Sequence, residues 1–110
     1  AGVAEAEAMV DMAQADLTAM RLMVEGDAVA SREQARASRD RFLALRDEVV
    51  PRARQAIEPT IAGFAAGELP LVSVIEVAQT LWSAEADLVS AELALGLSWA
   101  RLRRAMGDWR

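Results

Sequence analysis

Apolar and small residues recur at alternating steps of three and four through the N-terminal part of the chain, at Val3, Ala6, Val10, Ala13, Leu17, Met20 and Val24. On an α-helix this spacing lines one face with a continuous seam, the pattern of a coiled coil. The seam resumes at Ala28, Ser31, Ala35, Ser38, Phe42, Leu45 and Val49, with one extra four-residue step between Val24 and Ala28. Such a stutter unwinds a supercoil locally without ending the helix, so a continuous helix is expected here. The competing reading is a break near residue 26. Gly26-Asp27 sits at the shift, and Ser31-Arg32-Glu33-Gln34 has the form of a capping box that would open a new helix.

Pro51 and Pro59 predict kinks, because a proline inside a helix removes one hydrogen bond and crowds the preceding turn. The seam continues roughly in phase through Ala53, Ala56 and Ile61. A single helical path over residues 3–65 would be about 95 Å long at 1.5 Å per residue. Residues 66–71 interrupt the pattern, and a second helix is expected over 72–107. Pro70 suits its first position, while Ser73-Val74-Ile75-Glu76 offers a rival capping-box start. Gly107 marks the end, with Arg101, Arg103 and Arg104 complementing the helix dipole in the last turns. The chain therefore reads as all-α, a long antiparallel coiled-coil hairpin forming a single domain over residues 1–110.

The returning helix carries two seams. One runs Val74, Val77, Leu81, Ala84, Leu88, Ala91, Leu95, Ser98 and Leu102, with leucines alternating with small residues. The other follows Ile75, Ala78, Trp82, Ala86, Val89, Leu93, Leu97 and Ala100, while Thr80, Ser83, Asp87, Ser90 and Arg101 form a solvated strip. Two apolar seams require two helical neighbours, and a lone hairpin supplies only one. That suits a helix in a curved wall.

Composition agrees with this shape and narrows the chemistry. The chain is 54% hydrophobic, but much of that is alanine, which favours helices while contributing little buried area. It has no Cys and no His, so disulfides, thiolate metal sites and the usual general base are excluded. A net charge of −5 argues against a nucleic-acid partner. No apolar run approaches the roughly 20 residues needed to span a bilayer. The helical pattern is already running at Ala1-Gly2-Val3, as expected of an excerpt from a longer protein.

The stretch Phe64-Ala65-Ala66-Gly67-Glu68-Leu69-Pro70-Leu71-Val72-Ser73-Val74-Ile75-Glu76-Val77-Ala78-Gln79-Thr80-Leu81 resembles the aromatic-x-x-Gly signature and helix start of TolC-like outer membrane efflux proteins. Leu102-Arg103-Arg104-Ala105-Met106-Gly107 is similar to that family's Leu-x-x-x-x-Gly ending. Val49-Val50-Pro51-Arg52-Ala53 is similar to a Leu-Pro-x-Ala element of its heavy-metal branch. The likeness is clearest over residues 42–108. It implies a homotrimer whose helices form a hollow periplasmic α-barrel below an outer-membrane β-barrel. This chain would be one hairpin of that barrel, in the periplasmic part of a Gram-negative outer membrane protein, with membrane contact only through segments outside it.

The resemblance further implies a tripartite pump whose periplasmic adaptor (membrane fusion) protein docks on the hairpin tip, here Phe64, Ala66, Gly67, Glu68, Leu69 and Pro70. Family members often carry Tyr at the position of Phe64, and sometimes a basic residue at that of Leu69. Both are apolar here, which points to docking by packing. Glu76 matches an acidic position that can line the constricted pore end, whereas Ser73 stands where some members have a second acid. From the residues alone, Glu76 reads as a capping partner of Ser73. A capping carboxylate can still face a pore.

Met9, Met12, Met20 and Met23 share a narrow stripe and are the only soft donors grouped in the chain. Packing is the preferred reading of them, and no metal or other cofactor is expected. Arg32, Arg36 and Arg39 share a solvated face on which Arg36 and Asp40 are spaced as an i,i+4 pair. Trp82 and Trp99 read as interface packing, and Trp109 as the approach to an excised portion. Glu5/Glu7 and Glu85/Asp87 lie two apart on helices, so neither is an acid–base dyad. An enzyme is not expected. The alternative to a passive export duct is a stand-alone helical-bundle interaction module without a transport role.

Overall fold

The computed structural model describes residues 2–107, which are helical apart from short turns and contain no strand. Helix α1 spans Gly2–Ala44, a π-helical turn covers Leu45–Val49, and α2 (Val50–Gln55) and α3 (Ile57–Ala65) complete the outward path. After a turn at residues 66–70, α4 (Leu71–Ala105) returns antiparallel along all of these segments except the start of α1. The molecule measures 94 × 26 × 15 Å. Its radius of gyration is 26.1 Å, against about 13 Å for a compact domain of similar length.

α1 runs through Gly26 without interruption, so the break near residue 26 does not occur. The capping box at Ser31–Gln34 has no helix start to cap, and Ser31 instead lies half-buried within the seam. Partner contact begins close to this point. The end of α4, at Arg101, Arg104 and Ala105, borders Val24, Asp27, Ala30 and Ser31. Residues 2–23 extend past it as a single helix. Their seam positions Val3, Val10, Leu17 and Met20 are consequently exposed, and this part of the expected coiled coil has no second strand among the described residues.

Beyond the overhang the α4 seam is as its spacing predicts. Every position from Val74 to Leu102 in the leucine/small series is buried or half-buried, and Ala84, Ala91, Ser98 and Leu102 are deepest. Alanines at these points let the two backbones approach closely. The price is a thin core: no large side chain is fully buried among the described residues.

After Leu45 the expected phase on the outward path holds only at Ala53. Val49 is 44% exposed, whereas Val50 is 4% exposed and shares a buried cluster with Ala53 and Ala84, flanked by Leu81 and Leu88. The half-buried positions that follow are Ile57 and Thr60, while Ala56 and Ile61 point outward. The cause is the π turn, in which the Val50 N–H donates to the Leu45 carbonyl, five residues back. One extra residue per turn advances the seam by one position. A second interruption falls at Ala56, next to Gln55, whose carbonyl Pro59 cannot supply with an N–H. Thr60 Oγ1 donates to the neighbouring Ala56 carbonyl at 2.7 Å, which also accepts the Thr60 N–H at 3.4 Å.

Candidate functional site

The apical turn is built on helix-end chemistry. Gly67 has φ +74°, a left-handed conformation that glycine adopts without a Cβ penalty. Its N–H donates to the Phe64 carbonyl at 3.0 Å, and the Glu68 N–H donates to the Gly63 carbonyl at 2.9 Å. This pair of bonds is a Schellman motif, which satisfies carbonyls that α3 would otherwise leave open. Leu69 then folds back over Gly63: a Cβ placed on that glycine would lie 2.7 Å from Leu69 Cδ1. Gly63 therefore belongs to the tip, beyond the six residues expected there. Its signal was a glycine one turn ahead of the turn glycine.

Pro70 lies outside the helix as its N-cap, with ψ 160°, and α4 begins at Leu71. The expected boundaries of 66–71 for the tip and 72–107 for the helix shift accordingly. No side chain caps α4, so the Ser73–Glu76 capping box is not formed. Ser73 lies in the first turn, where its backbone N–H reaches the Pro70 carbonyl at 3.1 Å. The turn gathers Phe64, Ala66, Gly67, Glu68, Leu69 and Pro70 at one end of the rod, all exposed to some degree.

Glu76 does not belong to that apical group. It is exposed on α4 and lines an open groove with Val49, Gln79, Thr80, Ser83 and Asp87. Glu76 and Asp87 give the groove its acidic groups, while Ala84 and Val49, which the π turn turns out of the seam, are its apolar lining. Its polar side matches the solvated strip expected on α4.

The second α4 stripe is bare. Ile75, Val89 and Leu97 are exposed, and Trp82 and Leu93 are each 67% exposed. The expectation that both tryptophans pack in an interface is not met within the hairpin, since Trp99 is also largely exposed beside Ala35, Arg39 and Leu102. Trp109 lies outside the described residues.

Met9, Met12, Met20 and Met23 all fall on the overhang, mostly exposed, so they do not pack between the hairpin's helices. Among the described residues no group of His, Cys, Asp or Glu is arranged to hold a metal ion. Arg36 pairs with Glu33 at 3.8 Å rather than with Asp40.

Two cross-helix polar contacts went unforeseen as pairs. The Ser38 and Ser98 hydroxyls meet at 2.9 Å inside the seam, where Ser98 also reaches the Ala94 carbonyl at 2.8 Å. Arg54 Nη2 donates to Glu85 Oε1 at 3.0 Å across the rim. Both serines were on the expected seams, so their meeting was latent in the register. The Arg54–Glu85 pair depends on the seam after the π turn. Next to that turn, Arg46 lies over the Phe42 ring at 5.5 Å and donates from Nε to Asp47 Oδ1 at 2.8 Å. That hydrogen bond holds the Asp47 carboxyl below the ordinary carboxylate range.

No family model matches the chain, and neither a curated protein nor a solved structure matches it at a significant level.

Proposed function

We propose that this chain is a wall segment of a passive export duct: the periplasmic α-helical hairpin of a TolC-like outer membrane efflux channel. In this reading neighbouring hairpins stand side by side in a homotrimeric barrel, and the apical turn docks a periplasmic adaptor. The observation that carries it is the pair of parallel stripes on α4, one packed against the α1 path and one bare along much of the same length. A contiguous exposed apolar face of this kind marks a surface that another element covers. The stand-alone module would instead satisfy both stripes internally.

At the tip, Phe64 and Leu69 are partly exposed on a turn whose backbone bonds are already satisfied. Such a surface suits docking by apolar contact. Glu76 remains the acidic candidate for a pore-facing ring.

Two measurements test the reading. Single cysteines at residues 66–70 of the intact protein, in its native envelope, are expected to capture a periplasmic adaptor with a short crosslinker. If no position captures one, the docking role is wrong. Separately, sedimentation over a concentration series is expected to show self-association that Trp82→Glu with Leu93→Glu abolishes. A parent chain that stays monomeric at every concentration would sink the wall-segment role.

A further inference from the structure

We infer that Pro51 and the π turn before it form a register lock that sets the rotation of the apical half of the hairpin. The inference stands independently of a transport role. It begins from a degeneracy in the sequence: Val49-Val50 and Ala56-Ile57 each place two apolar residues side by side. Either member of each pair can face α4. Hydrophobic pattern alone therefore allows two frames, one running through Val49 and Ala56 and the other through Val50 and Ile57.

The structure adopts the second frame, with Val50 buried, Val49 turned out and Ile57 half-buried. The choice follows from residue 51. In unbroken α geometry the Pro51 ring would collide with the Asp47 carbonyl, and that carbonyl would find no N–H to bond. Widening the turn over Leu45–Val49 moves the carbonyl aside, and the Val50 N–H bonds Leu45 instead. Because a helix turns about 100° per residue, one inserted residue rotates everything beyond it by about that angle.

Two features downstream depend on this setting. The cluster of Val50, Ala53 and Ala84 forms directly after the turn, and the Arg54–Glu85 pair closes over its rim.

The chain has no cysteine, so single cysteines at positions 49 and 50 report each frame by their alkylation rates. In the native background Val49→Cys is expected to react roughly tenfold or more faster than Val50→Cys, as an exposed site does relative to one that needs local opening. Adding Pro51→Ala removes the lock and should collapse or invert that ratio, with helical content retained by circular dichroism. A third variant supplies rescue. Deleting Glu48 together with Pro51→Ala lets plain α geometry carry residue 50 into the seam, and its protection should return. Equal rates in the native background, a ratio unmoved by Pro51→Ala, or failure of the deletion to restore protection would each overturn the lock.

Discussion

At the scale of single residues, the apical turn rests on two glycines with different duties. Gly67 is needed for its backbone conformation, so Gly67→Ala should destabilise the hairpin by about 1–2 kcal/mol in thermal or denaturant unfolding. Gly63 is needed for space. Gly63→Ala drives a methyl against Leu69, and since Leu69 can swing away, the loss should shrink in a Leu69→Ala background. Identical losses in both backgrounds would show that the two residues do not touch. The Arg46–Asp47 pair offers a charge effect that can be tested at this scale. Asp47 has its folded pKa depressed by the Arg46 hydrogen bond, so whatever stability it contributes is present above its unfolded pKa and disappears as pH falls through the folded one. Both partners are solvent-exposed, and the effect on stability should be small. Arg46→Gln should raise the Asp47 carboxyl pKa toward the ordinary range in an NMR titration, and an unmoved value would mean the pair is absent in solution.

At the scale of elements, α4 was legible almost residue by residue, because unbroken three-four spacing admits a single frame. Val74 through Leu102 in the leucine/small series all turn inward. On the outward path the inward positions from Ala28 to Leu45 and Ala53 were legible, but Val50 and Ile57, past Leu45, were not. Beyond it, the effect of Pro51 depends on whether the backbone kinks or widens, and seam spacing cannot distinguish the two. α4 begins at Leu71, between the two starts that Pro70 and Ser73 offer, because Pro70, with its extended ψ, takes the cap ahead of Ser73. Of the proposed tip, the sequence supplied the turn residues but not the Gly63–Leu69 contact, which links positions on either side of the chain reversal. Gly26 gives a test at this scale. It lies inside α1 with nothing near where a Cβ would stand, so Gly26→Ala should stabilise α1 by about 0.5–1 kcal/mol and raise helicity. A loss of helicity would place a break there after all.

At the scale of the whole molecule, stability must be uneven along the rod. The hairpin shaft has a packed seam, whereas residues 2–23 rely on helix propensity and local bonds without the tertiary packing that supplies most helical stability in proteins. In the chain by itself, hydrogen exchange in the overhang should be about 100-fold or more faster than in the middle of α4. Equal protection would reveal a partner for the overhang. The bare stripe, for its part, gives the molecule a built-in optical gauge. Trp82 stands in water on that stripe, so its emission should lie near the aqueous limit while the face is open. With Trp99 and Trp109 replaced by Phe, a blue shift would time the arrival of whatever settles over α4, without any attached dye.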